Sequence, residues 1–160
     1  MTFRHGLLAL LLVGLELARP AAAGPGPRKP LVVVVAQGSA VSNLSQSDLK
    51  RLFTGVAVVV DGKKLVPFNF QPGTRERTVF DSFALGMSAA EVGRFWVDRR
   101  VRGQGEPPRA LPSSSHMAKV VARFPGAIGY LAADQLGPGL KAIKVGGVGH
   151  NEPTYAMVLE

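Results

Sequence analysis

The stretch Val66-Pro67-Phe68-Asn69-Phe70-Gln71-Pro72-Gly73-Thr74-Arg75-Glu76-Arg77 decides how the chain is read. Val66 to Phe70 favours an extended strand, Gln71-Pro72-Gly73 breaks it, and Val79, Phe80, Phe83 and Ala84 then recur at the spacing of one helical face. A strand therefore runs into a helix N-terminus. There the first-turn amides lack intrahelical acceptors, the helix dipole is positive, and Gly73 carries no Cβ to hold an anion away. Thr74 is placed to cap the helix and to offer its hydroxyl. The plainer reading of Pro-Gly-Thr, a turn followed by a helix cap, uses the same residues and stays open at this point.

Upstream, Leu31 to Ala36 is an unbroken Val-rich run, as expected of a strand buried on both faces of an α/β sheet. Gln37-Gly38-Ser39 follows at its carboxyl end, where loops line ligand crevices in open α/β sheets, which makes Gly38 and Ser39 candidate ligand residues. Ser45 to Asp48 reads as a capping box with Asp in the usual Glu place. Leu49, Leu52 and Phe53 form the apolar face of that helix, and Gly55 ends it. Asp61-Gly62 between Val56–Val60 and Lys63–Phe70 signals a two-residue hairpin.

Downstream, the helix opened by Thr74 runs to about Gly86, and Ser88 to Glu91 is a full capping box for the next. That helix turns Val92, Phe95 and Trp96 to one side and ends in Arg99, Arg100 and Arg102, cations that suit a helix C-terminus. Gly103 to Pro112 reads as a basic surface loop. Ser113 to Ser115 caps one more helix, with Met117, Val120, Val121 and Phe124 turned inward and Pro125-Gly126 as its stop. Ala127 to Leu131 is a short buried strand whose Gly129 implies close approach of another backbone. Lys141 to Val145 alternates as an edge strand does, and Tyr155 to Leu159 is a candidate last strand. Strands alternating with helices give an α/β layer fold.

Composition bounds the function. Arg4 and His5 precede an apolar run, Leu7 to Val13, too short to cross a bilayer, and Ala21-Ala22-Ala23 supplies small residues before a cut. Residues 1–23 read as a secretory signal peptide, an uncleaved anchor being the alternative, and Gly24 to Pro30 as a linker. A domain over residues 31–147 and a tail or last strand over 148–160 complete the division. Removing the leader leaves a chain of single-domain size. Export directs the protein to the periplasm or the exterior and disfavours nucleic acid as a partner. There are no cysteines, hence no disulfide and no thiolate metal site. The net charge of +8 favours acidic partners such as phosphate groups, anionic lipid or an acidic protein face.

The order of pieces has a likeness. Asn43-Leu44 through Asp48-Leu49, Leu52-Phe53 and Gly55, then Asp61-Gly62 and a strand into Gly73-Thr74 followed by Phe80, then Phe124-Pro125-Gly126-Ala127-Ile128-Gly129-Tyr130, together resemble the phosphate-binding proteins of ABC importers. The resemblance implies a type 2 periplasmic-binding-protein-like fold, here a single lobe of mixed sheet flanked by helices, over roughly Leu31 to Val145. It implies a phosphate or similar oxyanion ligand and an ABC permease or envelope protein as partner; no cofactor is expected, and no catalysis, since neither a base near a nucleophile nor a pair of carboxylates emerges from the residues. Gly73 and Thr74 match the loop that grips the oxyanion, and Arg75 follows them. Pro72 stands where that loop has Ser, and Phe68 where an upstream Arg would add charge.

Two other classes are weighed against an anion-binding module. One is a ligand-free interaction or sensory module of the cell envelope, acting through the arginine-rich face from Arg94 to Arg109. The other is a small hydrolase built on His116 beside Ser113 to Ser115, but no orienting acid lies near in sequence, so a helix cap is the simpler account. His116 and His150 are isolated, and without Cys they make a structural metal improbable.

Overall fold

A computed structural model describes residues 28–159, so the expected signal peptide lies outside the described residues. The central strand β1, Lys29–Ala36, has Leu31 to Val35 fully buried, as its Val run requires. One edge of β1 pairs antiparallel with β7, Ala127–Ala132. β7 pairs parallel with β5, Val66–Phe70, and β5 parallel with β6, Arg109–Leu111. The other edge of β1 is shared by two short antiparallel partners: β10, Val158–Leu159, at Lys29 and Pro30, and β8, Leu140–Ala142, at Val34 to Ala36. The sheet is therefore mixed, ordered β10-β1-β7-β5-β6 with β8 beside β1.

Helices cover both faces. Gly129 and Tyr130 are neighbours on β7, so they face opposite sides. A Cβ at Gly129 would collide with Met117 Sδ, so helix α4, Ser114–Arg123, lies against that face, and the close approach is by side chains rather than backbone. Tyr130 on the other face stacks on Phe80 at 3.9 Å between ring centroids and meets Phe53 and Phe70 edge-on or tilted. Phe80 and Phe53 come from α2, Arg75–Phe80, and α1, Gln46–Phe53. The Tyr130 hydroxyl donates to Asn69 Oδ1, satisfying a buried amide, and burial pushes its phenol well above the ordinary tyrosine range.

The caps fall where the sequence puts them. Ser45 takes the Asp48 amide at 3.0 Å, and Ser88 and Glu91 form a reciprocal box opening α3, Ala89–Val101. Two hydrogen bonds from Ser88 also hold the Glu91 carboxyl below its usual range. Asp61 and Gly62, both at positive φ, turn the short hairpin of β3, Val59–Val60, and β4, Lys63–Lys64. After α2 the helix widens into a π-helical turn, Asp81–Leu85, and Gly86 in the left-handed region ends it.

Four expectations change. The stretch 103–112 is not all loop: Arg109–Leu111 forms β6, recruited by the open edge of β5 despite three prolines nearby. Phe124 is 60% exposed, because the chain turns extended there and α4 ends one residue earlier. The strand expected at Lys141–Val145 divides, β8 joining β1 and β9, Lys144–Val145, pairing parallel with β2, Asn43–Leu44. Lys29 and Pro30, read as the end of a linker, belong to β1, where they pair with the candidate last strand, formed at Val158–Leu159, and the Tyr155 hydroxyl donates to Leu31 O at 2.7 Å.

Candidate anion site

The turn at Gln71–Thr74 is closed by the Thr74 amide on Gln71 O at 3.3 Å, with Gly73 at φ 88°. Proline second and a positive-φ glycine third is the signature of a type II turn, so Gly73 is required by the backbone itself. Thr74 caps α2: its Oγ1 accepts the Arg77 amide at 3.3 Å and donates to Gln71 O at 3.1 Å. The single hydroxyl proton is thus committed within the turn. The amides of Arg75 and Glu76, also in the first turn, have no intrahelical acceptor.

The arginine that turns inward is Arg77; Arg75, the one expected from the sequence, is exposed. Arg77 has a side chain only 10% exposed, with Nε on Asp81 Oδ2 at 2.8 Å and Nη1 on Phe70 O at 2.8 Å. Its Nη2 has no hydrogen-bond partner among the described residues. Asp81 Oδ1 is buried and likewise unpartnered. Burial pushes the Asp81 carboxyl above its ordinary value, with the Arg77 hydrogen bond and charge acting in the opposite direction. Removing one member of such a buried pair costs about 3–5 kcal/mol, because the other charge is left without compensation.

A cleft of about 240 Å³ opens beside this pair. Gly73 and Arg77 form one side, Gly93, Trp96 and Arg100 of α3 another, and Pro108 of the segment before β6 a third. A larger groove, about 400 Å³, runs past Leu52, Val56, Val66, Phe68 and Arg109. It is mainly apolar, and Phe68, standing where the resemblance expects a cation, brings none to it. Size alone would favour the groove, but the cleft holds the buried guanidinium.

Gly38 and Ser39 lie elsewhere. Ile128 of β7 is flanked by Val35 on one side and Pro67 on the other, so the end of β1 is level with the start of β5. The loop after β1 and the turn after β5 therefore sit at opposite ends of the sheet, separated by the length of β5, roughly 15 Å at ~3.3 Å per residue. Gly38 and Ser39 border a small hollow of about 140 Å³ with Val60, Lys63 and Gly126. Ser39 Oγ accepts the Val41 amide at 3.2 Å, and its carbonyl accepts from Lys141 Nζ. Of the five candidate residues, Gly73, Thr74 and Arg75 share one end and Gly38 and Ser39 the other.

The arginine-rich face is largely occupied internally. Arg99 lies over Phe95 and Trp96 and donates to Gln104 O at 2.7 Å. Arg100 pairs with Glu106 and Arg102 with Asp98. Ser113 Oγ is the cap of α4, accepting the His116 amide at 3.3 Å, and lies 2.8 Å from His116 Nδ1. Among the described residues no three His, Asp or Glu side chains are grouped as a metal site would need. No helix among them is long and apolar enough to cross a membrane.

No family model and no curated protein matches the sequence. Solved structures do match in shape. An ABC-type phosphate transport receptor from Vibrio cholerae superposes with a TM-score of 0.61 at 19% identity, covering 78% of this chain and 49% of that one. A Clostridium perfringens protein assigned as a phosphate ABC transporter substrate-binding protein, solved with phosphate bound, gives 0.60 at 18% identity, covering 77% and 47%. PstS from Borrelia burgdorferi gives 0.58 at 12% identity, covering 82% and 55%. The chain spans about half the length of these structures. At such identities the likeness speaks to architecture: the described residues share the α/β fold of part of these structures, a mixed sheet flanked by helices.

Proposed function

We propose that the protein is an exported solute-binding module that takes phosphate or a similar small oxyanion in the cleft beside Gly73, with Arg77 as its cationic partner. The observation that carries this reading is Arg77 itself, nine-tenths buried, lining the cleft, and holding Nη2 free of any partner among the described residues. A guanidinium screened from water binds an anion more strongly than a surface cation does, since the effective dielectric falls with burial. The first-turn amides of Arg75 and Glu76 add partial positive charge at the same end. The role of Thr74 is to shape the turn rather than to donate to the ligand.

The likeness to phosphate-transport receptors supports a solute-binding role, with an ABC permease or an envelope protein as the partner that receives the solute. An anion held by the described residues alone stays in contact with water and binds more weakly than one enclosed on all sides. The reading involves no catalytic step.

Calorimetric titration with inorganic phosphate tests it. Saturable heat between micromolar and millimolar phosphate is expected, and it should be lost in Arg77→Gln provided that variant keeps a cooperative melt. No heat up to millimolar phosphate with the wild-type chain would overturn the assignment.

A further inference from the structure

The lining of the cleft offers an anion more apolar surface than its charge alone would use. Apart from Arg77, Asp81 and Arg100 it is built from Pro72, Val92, Trp96, Val97, Pro107 and Pro108 together with small residues. Val97 is 59% exposed on the cleft side of α3, although nothing within the fold covers it. Gly93 sits in the interior of α3, where glycine is unfavourable relative to alanine. A Cβ at Gly93 would meet no atom within 4 Å, so no packing constraint within the fold calls for glycine there. Its absence keeps the wall of the cleft open between Val92 and Trp96.

We infer that this cleft binds a small organic carboxylate whose apolar body is about the size of one ring, with its charge on Arg77 and Arg100 and its body against Gly93, Val97 and Trp96. The inference rests on the proposed anion site and specifies the class of anion it takes. Volume supports it: a cavity of ~150 Å³ accepts benzene, and the cleft offers about 240 Å³, room for a ring and its carboxylate arm. Charge supports it as well. Asp81 balances Arg77, so the net positive charge for a monoanion comes from Arg100. Arg100 is held by an exposed pair with Glu106 at 3.1 Å, a contact of little strength with which a ligand carboxylate competes readily. A ligand carboxylate shared by Arg77 and Arg100, which line the same cleft, leaves its ring along the stripe Ala89, Gly93, Val97, where area removed from water adds to binding.

Trp96 is the single tryptophan of the sequence and lines the cleft, so its emission reports occupancy directly. The full chain is titrated with cyclohexanecarboxylate, with the uncharged cyclohexanecarboxamide, and with inorganic phosphate, the last followed by calorimetry. The carboxylate is expected to change Trp96 emission saturably, and the carboxamide to bind about tenfold or more weakly. Gly93→Leu fills the wall and should weaken the carboxylate by about tenfold or more while melting no lower than wild type, since leucine is the better helix former. Arg100→Gln, at an exposed position, should weaken the carboxylate and leave the carboxamide unchanged. Equal binding of acid and amide, or carboxylate binding unaltered in both variants, overturns the inference. Phosphate heat without any Trp96 response to the carboxylate overturns it too and leaves the anion site standing. Silence from both ligands removes the two together.

Discussion

Where β5 stops, the chain sets a buried Arg77–Asp81 pair next to an open cleft; where β1 stops, Gly38 and Ser39 sit beside the exposed Lys63 and the half-buried Lys141, which donates to the Ser39 carbonyl. Both ends combine a glycine-bearing turn with nearby cations, and from composition alone they look alike. They differ in what surrounds the charge. Arg77 is held by Asp81 and the Phe70 carbonyl inside the fold, whereas a lysine in water is screened within about 10 Å at ordinary salt. A glycine turn beside a cation is therefore weak grounds for a site until the burial of the cation is known.

The largest expected effect follows from that contrast. Arg77→Met leaves Asp81 buried without its partner and should cost about 3–5 kcal/mol in urea unfolding. Lys63→Met at the other end should stay within about 0.5 kcal/mol of wild type. Similar costs at the two positions would mean that the two ends are energetically alike after all.

Glycine substitutions sharpen the comparison at smaller amplitude. A Cβ at Gly126 would lie 2.6 Å from the Lys64 carbonyl, and its φ is 80°, so Gly126→Ala should cost about 2 kcal/mol or more. Gly73→Ala has the left-handed backbone but open space around it, and about 1–2 kcal/mol is expected. Gly38→Ala, with neither constraint, should be close to neutral. Thermal or chemical melts rank the three, and a Gly38 cost equal to that of Gly73 would contradict the backbone account of the turn.

The smallest effect is in pH dependence. Asp81 has its folded-state pKa raised by burial above 3.8, so the folded state holds that proton more tightly than the unfolded chain does. Its contribution to stability is full below 3.8 and is lost as pH rises through the raised value. Asp81→Asn removes this term, so the stability of wild type relative to the variant should fall as pH climbs from about 3.8 upward. A difference that is flat with pH, or that grows, would show that Arg77 dominates the carboxyl instead.

Much of the architecture was legible from local chemistry. The Val run of β1, the caps at Ser45, Thr74, Ser88 and Ser113, and the Asp61-Gly62 turn are short-range signals, and each formed where expected. What failed depended on distant partners or on where a helix stops. β6 has little strand character of its own and exists because β5 offers an unpaired edge, and Phe124 is exposed because the backbone leaves the helix beneath it. The candidate site was half visible. Gly73 and Thr74 stand out as a turn and a cap, but the pairing of the candidates depended on strand direction: β1 runs antiparallel to β7 while β5 runs parallel to it, and no residue near Gly38 announces that. Arg77 did leave a signal. With Phe80, Asp81 and Ala84 it lies on the inward stripe of the helix, and an Arg–Asp pair four apart within an apolar stripe marks a buried ion pair.

Amide chemical-shift mapping during a titration of the full chain with inorganic phosphate tests most directly where the anion binds. Saturable shifts at Gly73, Arg77, Gly93 and Arg100, with Gly38 and Ser39 unmoved, are the expected result. Shifts centred on Gly38, Ser39 and Lys63, with the Arg77 cleft silent, would place the anion at the other end of the sheet and contradict the account.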